Sequence, residues 1–141
     1  MTLARFRGNA PLLILAGLFV LCAALSAWAL EFPRLTGRVV DEAGLLSAQQ
    51  RESVVAALAA HEQKTGQQVV VVTLNSLQGL PIEDYGYQLG RHWGIGERDE
   101  DTGALLIVAP NERVVRIEVG YGLEGELTDA ATRLIIENII L

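Results

Sequence analysis

The residues of this chain able to do chemistry are carboxylates gathered in a few short stretches. Asp41 and Glu42 follow the apolar pair Val39-Val40, and Glu118 and Glu124 flank Gly120-Tyr121-Gly122. The densest stretch is Asp99-Glu100-Asp101-Thr102-Gly103. Carboxylates two positions apart on a tight loop ended by glycine can aim several hard oxygens at one point, the ligand chemistry of Ca²⁺ or Mg²⁺. The competing reading of that segment alone is a solvated acidic turn, because it lacks the spaced ligands and terminal glutamate of a twelve-residue calcium loop. With Asp41 and Glu124 brought in from other loops, a divalent-cation site becomes an equal alternative.

Other chemistries find less support. Gly120-Tyr121-Gly122-Leu123-Glu124-Gly125 spells G-x-G-x-x-G, but Glu124 and Glu126 put negative charge where a pyrophosphate needs a bare helix N-terminus. The segment entering it also reads as a hairpin partner, so no nucleotide cofactor is expected. His61 and His92 both fall on predicted helices, and neither has a serine and an acid at hand to form a triad. Any hydrolysis would rest on carboxylates with a metal ion, with Asp41 and Asp101 as the candidate catalytic residues.

These acids need elements to position them. Val39-Val40 reads as a brief strand. Ser47 with Gln50 makes a capping-box start for a helix that Lys64-Thr65-Gly66 ends. The run Val69 to Val72 predicts a strand in the middle of a sheet, buried on both faces. Pro81 opens a second helix, with Glu83 and Asp84 at its positive end, a stripe of Ile82, Tyr85, Leu89 and Trp93, and a stop at Gly94-Ile95-Gly96. Ala104 to Ala109 is a second apolar strand, expected parallel to the first through a right-handed crossover. After the turn Pro110-Asn111-Glu112, residues Arg113 to Val119 alternate, with Val115, Ile117 and Val119 on one face and Val114, Arg116 and Glu118 on the other. Gly120 to Glu126 is a loop, and Thr128-Asp129 caps a last helix. The order β, α, β, α, β, β, α predicts a three-layer α/β/α sandwich with a mixed sheet, a βαβ crossover and a β-hairpin.

Composition sets the bounds. The chain has 141 residues, 50% of them hydrophobic, with 11 Lys and Arg against 17 Asp and Glu and a net charge of -6. That balance opposes a protein whose main task is to neutralise nucleic-acid phosphates. The one cysteine, Cys22, allows neither an internal disulfide nor a cysteine-based metal site. Arg5 and Arg7 precede an uncharged apolar run from Pro11 to Leu30 that closes Ala27-Trp28-Ala29. Residues 1–29 are therefore expected to be a signal peptide cleaved after Ala29, the rival being an uncleaved membrane anchor. Leu21 before Cys22 argues against lipid modification. The leader holds two arginines and no acid, so residues 30–141 carry 9 bases against 17 acids, net -8. Four apolar residues among the last six, with no capping glycine, raise the expectation that the final helix continues into further chain.

Taken together, Gly37 to Ser47, Thr65 to Thr73, Trp93 to Gly96, Asp101 to Ala109 and Arg116 to Asp129 resemble the TPM domain, in order and with its spacing, over nearly all of residues 35–141. That family occurs in exported bacterial proteins, often membrane-anchored, and in a plant thylakoid-lumen acid phosphatase. The resemblance implies a Rossmann-like α/β/α sandwich and a divalent-ion site, often calcium. Carried onto this sequence, the site residues are Asp41, Asp101 and Glu124, with Asp99 and Glu118 as further candidates. Where the family commonly has Asp-Asn-Gly, this chain has Asp101-Thr102-Gly103, which removes an amide ligand. Members usually continue past the last helix into an anchor or a Gly-rich tail. Two functions are expected from it: an accessory or binding module of the envelope, outside the cytoplasm, that recognises a membrane-protein partner, and a metal-dependent phosphatase acting on phosphate monoesters.

Overall fold

The computed structural model describes residue 8 and residues 10–24, 29–96 and 101–126. The chain divides into two units, Met1–Glu31 and Phe32–Leu141. In the first, helix α1 (Ala10–Ala24) is apolar all round, with Leu12, Ile14 and Phe19 exposed. Among the described residues no helix is long and apolar enough to cross a membrane.

The second unit is built on a four-stranded sheet in the order β1 (Val39–Asp41), β2 (Gln68–Thr73), β3 (Gly103–Ala109), β4 (Val114–Val119). The first three strands are parallel, and β4 runs antiparallel to β3. Helices α2 (Ala48–Thr65) and α3 (Ile82–Trp93) make the two crossovers. The first packs against β1 and β2, and the second against β3 and β4. This is the expected α/β architecture with a mixed sheet, βαβ crossovers and a hairpin. The predicted helix from Thr128 lies outside the described residues.

Local chemistry sets the element ends. Ser47 and Gln50 form the reciprocal capping box, with Gln50 N–H donating to Ser47 Oγ at 3.2 Å and Ser47 N–H to Gln50 Oε1 at 2.9 Å. Gly66 and Gly94 end α2 and α3 in the left-handed conformation that a side chain would strain. Pro81 stands immediately before α3 as its N-cap, where its missing N–H is no loss.

The core lies on the sheet face that α3 covers. Val70, Val72, Leu105 and Ile107 from the strands and Tyr85 and Leu89 from α3 are fully buried there. Gly86 permits the close fit, since a Cβ on it would stand 2.6 Å from Ile107 Cδ1. Phe32 extends this packing with an edge-on contact to Tyr85, ring centroids 5.3 Å apart, and Trp93 donates its indole N–H to the Pro33 carbonyl at 2.9 Å. The expectation that β2 is buried on both faces holds for one of them: Val69 and Val71, on the side away from α3, are half-buried. The last strand starts one residue later than predicted. Arg113 sits in the turn at φ 58°, a conformation that no strand residue adopts, and its N–H donates to the Pro110 carbonyl.

Candidate functional site

Because β4 runs antiparallel to β3, the end of β4 comes back beside the start of β3, and the loops on either side meet there. Gly120 N–H donates to the Gly103 carbonyl at 2.8 Å, and Gly122 N–H to the Asp101 carbonyl at 3.2 Å. The loops touch backbone to backbone. A Cβ on Gly120 would lie 2.2 Å from the Asp101 oxygen, and one on Gly103 would lie 2.8 Å from Gly96 Cα. Asp101 takes φ 50°, a left-handed conformation that aspartate tolerates better than most side chains. Tyr121–Leu123 closes as one 3₁₀ turn, pinned by buried Leu123, where the sequence predicts only a loop. Gly96, Gly103 and Gly120 are thus needed for close approach between loops.

The seam opens into a cleft of about 690 Å³ between α3 and β4. Its border includes Asp101, Glu118 and Glu124, three of the five predicted acids, together with Arg91, Arg116 and Tyr87. Glu118 is committed to Arg116, with Arg116 Nε donating to Glu118 Oε2 at 2.6 Å. On α3, one turn apart, Arg91 donates to the Tyr87 hydroxyl at 2.7 Å and its guanidinium lies 5.5 Å from the Tyr87 ring centroid. The cleft therefore combines two carboxylates on abutting loops with a wall that carries guanidinium and phenol groups.

A family model for the TPM domain matches residues 39–141. The chain belongs to the TPM domain family. Among solved structures, the TPM domain of this chain is similar to the N-terminal domain of a P. gingivalis protein determined by solution NMR. The two share 40% identity at a TM-score of 0.69, over 75% of this chain and 68% of that one. It is also similar in fold to the N-terminal domain of a Corynebacterium glutamicum protein, at 24% identity and a TM-score of 0.56, over 74% of this chain and 65% of that one. No curated protein matches significantly.

This TPM domain does not bring the five predicted acids together. Asp41 ends β1 and is level with Thr73 on β2, which is level with Val108 on β3. Asp101 precedes Gly103, the first residue of β3. Five residues of strand separate the two levels, about 17 Å at the rise of a β-strand, so Asp41 stands at the opposite end of the strands from Asp101 and Glu124. Asp99 lies outside the described residues. Among the described residues, no three His, Cys, Asp or Glu side chains gather where they could hold a metal ion. Among the described residues, the two acids that share a loop seam and carry no side-chain ion pair of the kind that holds Glu118 are Asp101 and Glu124.

Asp41 instead fastens its own loop. Its Oδ1 accepts the Thr73 hydroxyl and the Leu45 N–H, and its Oδ2 accepts the Leu46 N–H. The Thr73 hydroxyl in turn accepts the Ala43 N–H at 3.0 Å. Burial pushes the carboxyl upward, but the hydrogen bonds from Thr73, Leu46 and Leu45, with the charge of Arg51, outweigh it and leave Asp41 below the ordinary aspartate value. Nearby, burial raises the Tyr85 hydroxyl, against the effect of a Gln78 hydrogen bond and with that of the Glu42 charge.

The histidines lie exposed on the two helices where the sequence places them. His61 shares a hydrogen bond with Gln67 Oε1, and His92 lies against the Phe32 ring. Tyr87 and Arg91 are cleft residues that sequence reasoning passes over. They lie off the apolar stripe of α3, and only their four-residue spacing marks them as neighbours.

Proposed function

We propose that this chain is an exported TPM domain module of the cell envelope whose cleft takes a divalent cation at Asp101 and Glu124, in a binding or accessory role towards a membrane-protein partner. The observation that carries this reading is the locked seam of two loops, which sets these two acids on the border of one cleft. Such preorganisation lowers the ordering cost that flexible acidic turns meet on binding a cation. Asp99, on the segment leading into Asp101, is the further acid suited to complete the ligand set, and hard oxygens of this kind suit Ca²⁺, with Mg²⁺ as the stricter alternative. The export half of the proposal is supported by the two arginines, the apolar run and the Ala27-Trp28-Ala29 ending of the leader.

A second reading has its own observation. Arg91 and Arg116 on the cleft wall suit an anionic group beside the cation, and the family carries the name TPM phosphatase. The two readings separate in one experiment. The purified full chain is titrated calorimetrically with CaCl₂, then assayed on a chromogenic phosphate ester with and without chelator. Calcium binding that Asp101→Asn abolishes, with no ester turnover above that of Asp101→Asn, is the result expected of a binding module. Turnover lost with chelator and with Asp101→Asn would establish the phosphatase instead, and absence of calcium binding would refute the cation site.

A further inference from the structure

In the described sheet β4 has β3 on one side and no strand on the other. The hydrogen bond from Gly120 N–H to the Gly103 carbonyl fixes which of its backbone groups face β3. With Gly103 opposite Gly120, the residues of β4 that exchange bonds with β3 are Glu118, Arg116 and Val114, by the alternation of an antiparallel ladder. The N–H and C=O groups of Val115, Ile117 and Val119 point the other way, to the free edge.

We infer that this edge pairs with β4 of a second copy of the chain, antiparallel about a two-fold axis at Ile117. Three features agree with this pairing, and the charges among them select its register. Ile117 meets Ile117 of the other copy, and Val115 meets Val119, as hydrogen-bonded pairs that use the outward backbone groups. Arg116 then stands opposite Glu118 of the other copy, and Glu118 opposite Arg116, in the closer non-hydrogen-bonded pairs on the face toward α3. The Arg–Glu pair thus forms twice, whereas a shift of two residues sets Glu118 against Glu118 and Arg116 against Gly120, or Arg116 against Arg116 and Glu118 against Val114. On the other face, half-buried Val115, Ile117 and Val119 make an apolar row that the same register continues into its mate. The third feature is the place of α3. Gly86 sits over Ile107, Arg116 and Glu118, so α3 straddles β3 and β4. Across a paired edge the two α3 helices would run about 10 Å apart, from two strand spacings of about 4.8 Å, and helices pack at 8–10 Å. The cleft is bordered along this edge by successive residues from Arg116 to Tyr121, so the second copy adds a guanidinium to each cleft.

The test uses the full chain in detergent solution and sedimentation velocity. The wild type is expected to be a dimer. Arg116→Glu and Glu118→Arg should each raise the dimer dissociation constant about tenfold or more. Mixing the two single variants should restore a dimer, because every cross-copy pair is then opposite in sign, whereas the charges within each chain stay alike. The double exchange R116E/E118R should also dimerise. Ile117→Pro removes an N–H that the β3 ladder does not use, so it should keep a cooperative thermal transition and sediment as a monomer. If a single reversal fails to fold, the double exchange and Ile117→Pro still decide the matter. A monomeric wild type would overturn the inference. So would a dimer unchanged by Ile117→Pro, or single variants whose mixture stays monomeric. A monomer whose Ile117 and Val119 amides resist hydrogen exchange would show that another part of the same chain covers the edge.

Discussion

Replacing Gly120 with alanine is expected to destabilise the domain by roughly 3 kcal/mol and to lower its melting temperature by on the order of 10 °C. The conformation of Gly120 is ordinary, at φ -68°, so the effect comes from contact and not from backbone strain. The added Cβ would stand 2.2 Å from the Asp101 carbonyl oxygen and 3.0 Å from its carbon, and both are backbone atoms that no rotamer can move aside. Relief requires the loops to separate by about an ångström, which breaks the Gly120 to Gly103 and Gly122 to Asp101 hydrogen bonds together. Gly125 is the internal control. It lies in the same glycine-rich segment but has nothing within 4 Å, so Gly125→Ala should stay within about 0.5 kcal/mol of wild type. Thermal melts of the two variants check the contrast, and equal stability would show that the seam is looser than the glycine contacts require.

Asp41→Ala should remove roughly 2 kcal/mol, since three donors, one of them the buried Thr73 hydroxyl, lose their charged acceptor. The effect has a pH signature. The folded carboxyl lies below its ordinary value near 3.9, so its ionised form is the one that the fold favours. Its contribution is complete above that value and disappears as pH falls through the folded pKa. The gap in melting temperature between wild type and Asp41→Ala should therefore be flat from pH 7 to about 5 and shrink below about 4. A gap that widens in acid would reverse the assignment of Asp41 as a hydrogen-bonded carboxylate.

Much of this architecture is legible in the sequence because it is local. Ser47 and Gln50 cap α2 through atoms three residues apart, and glycines end both helices where a left-handed residue is needed. The alternation from Val114 to Val119 is matched by the pairing of Val115, Ile117 and Val119 with Val108, Leu106 and Ala104. What was harder to read is which acids meet. Asp41 ends a parallel strand and Asp101 precedes one, and that difference in position alone puts them at opposite ends of the strands. The resemblance to the TPM family groups them by motif and carries no distance. The Asp41 to Thr73 contact depends on strand register across 32 residues, which no local pattern reveals. Conversely, the approach of Gly120 to Asp101 is hinted at by a glycine-rich stretch whose nucleotide-binding spelling fits neither its charges nor the antiparallel strand before it.

The proposal that a cation binds at Asp101 and Glu124, with Asp41 a loop fastener, is tested most directly by calcium-induced stabilisation in four proteins: wild type, Asp41→Asn, Asp101→Asn and Glu124→Gln. A ligand that binds only the folded state at one hundred times its dissociation constant adds about 2.7 kcal/mol, which raises the melting temperature by on the order of 10 °C. The expected result is that wild type and Asp41→Asn both gain this increment over their own calcium-free values, while Asp101→Asn and Glu124→Gln do not. An increment lost in Asp41→Asn but kept in Asp101→Asn and Glu124→Gln would contradict it.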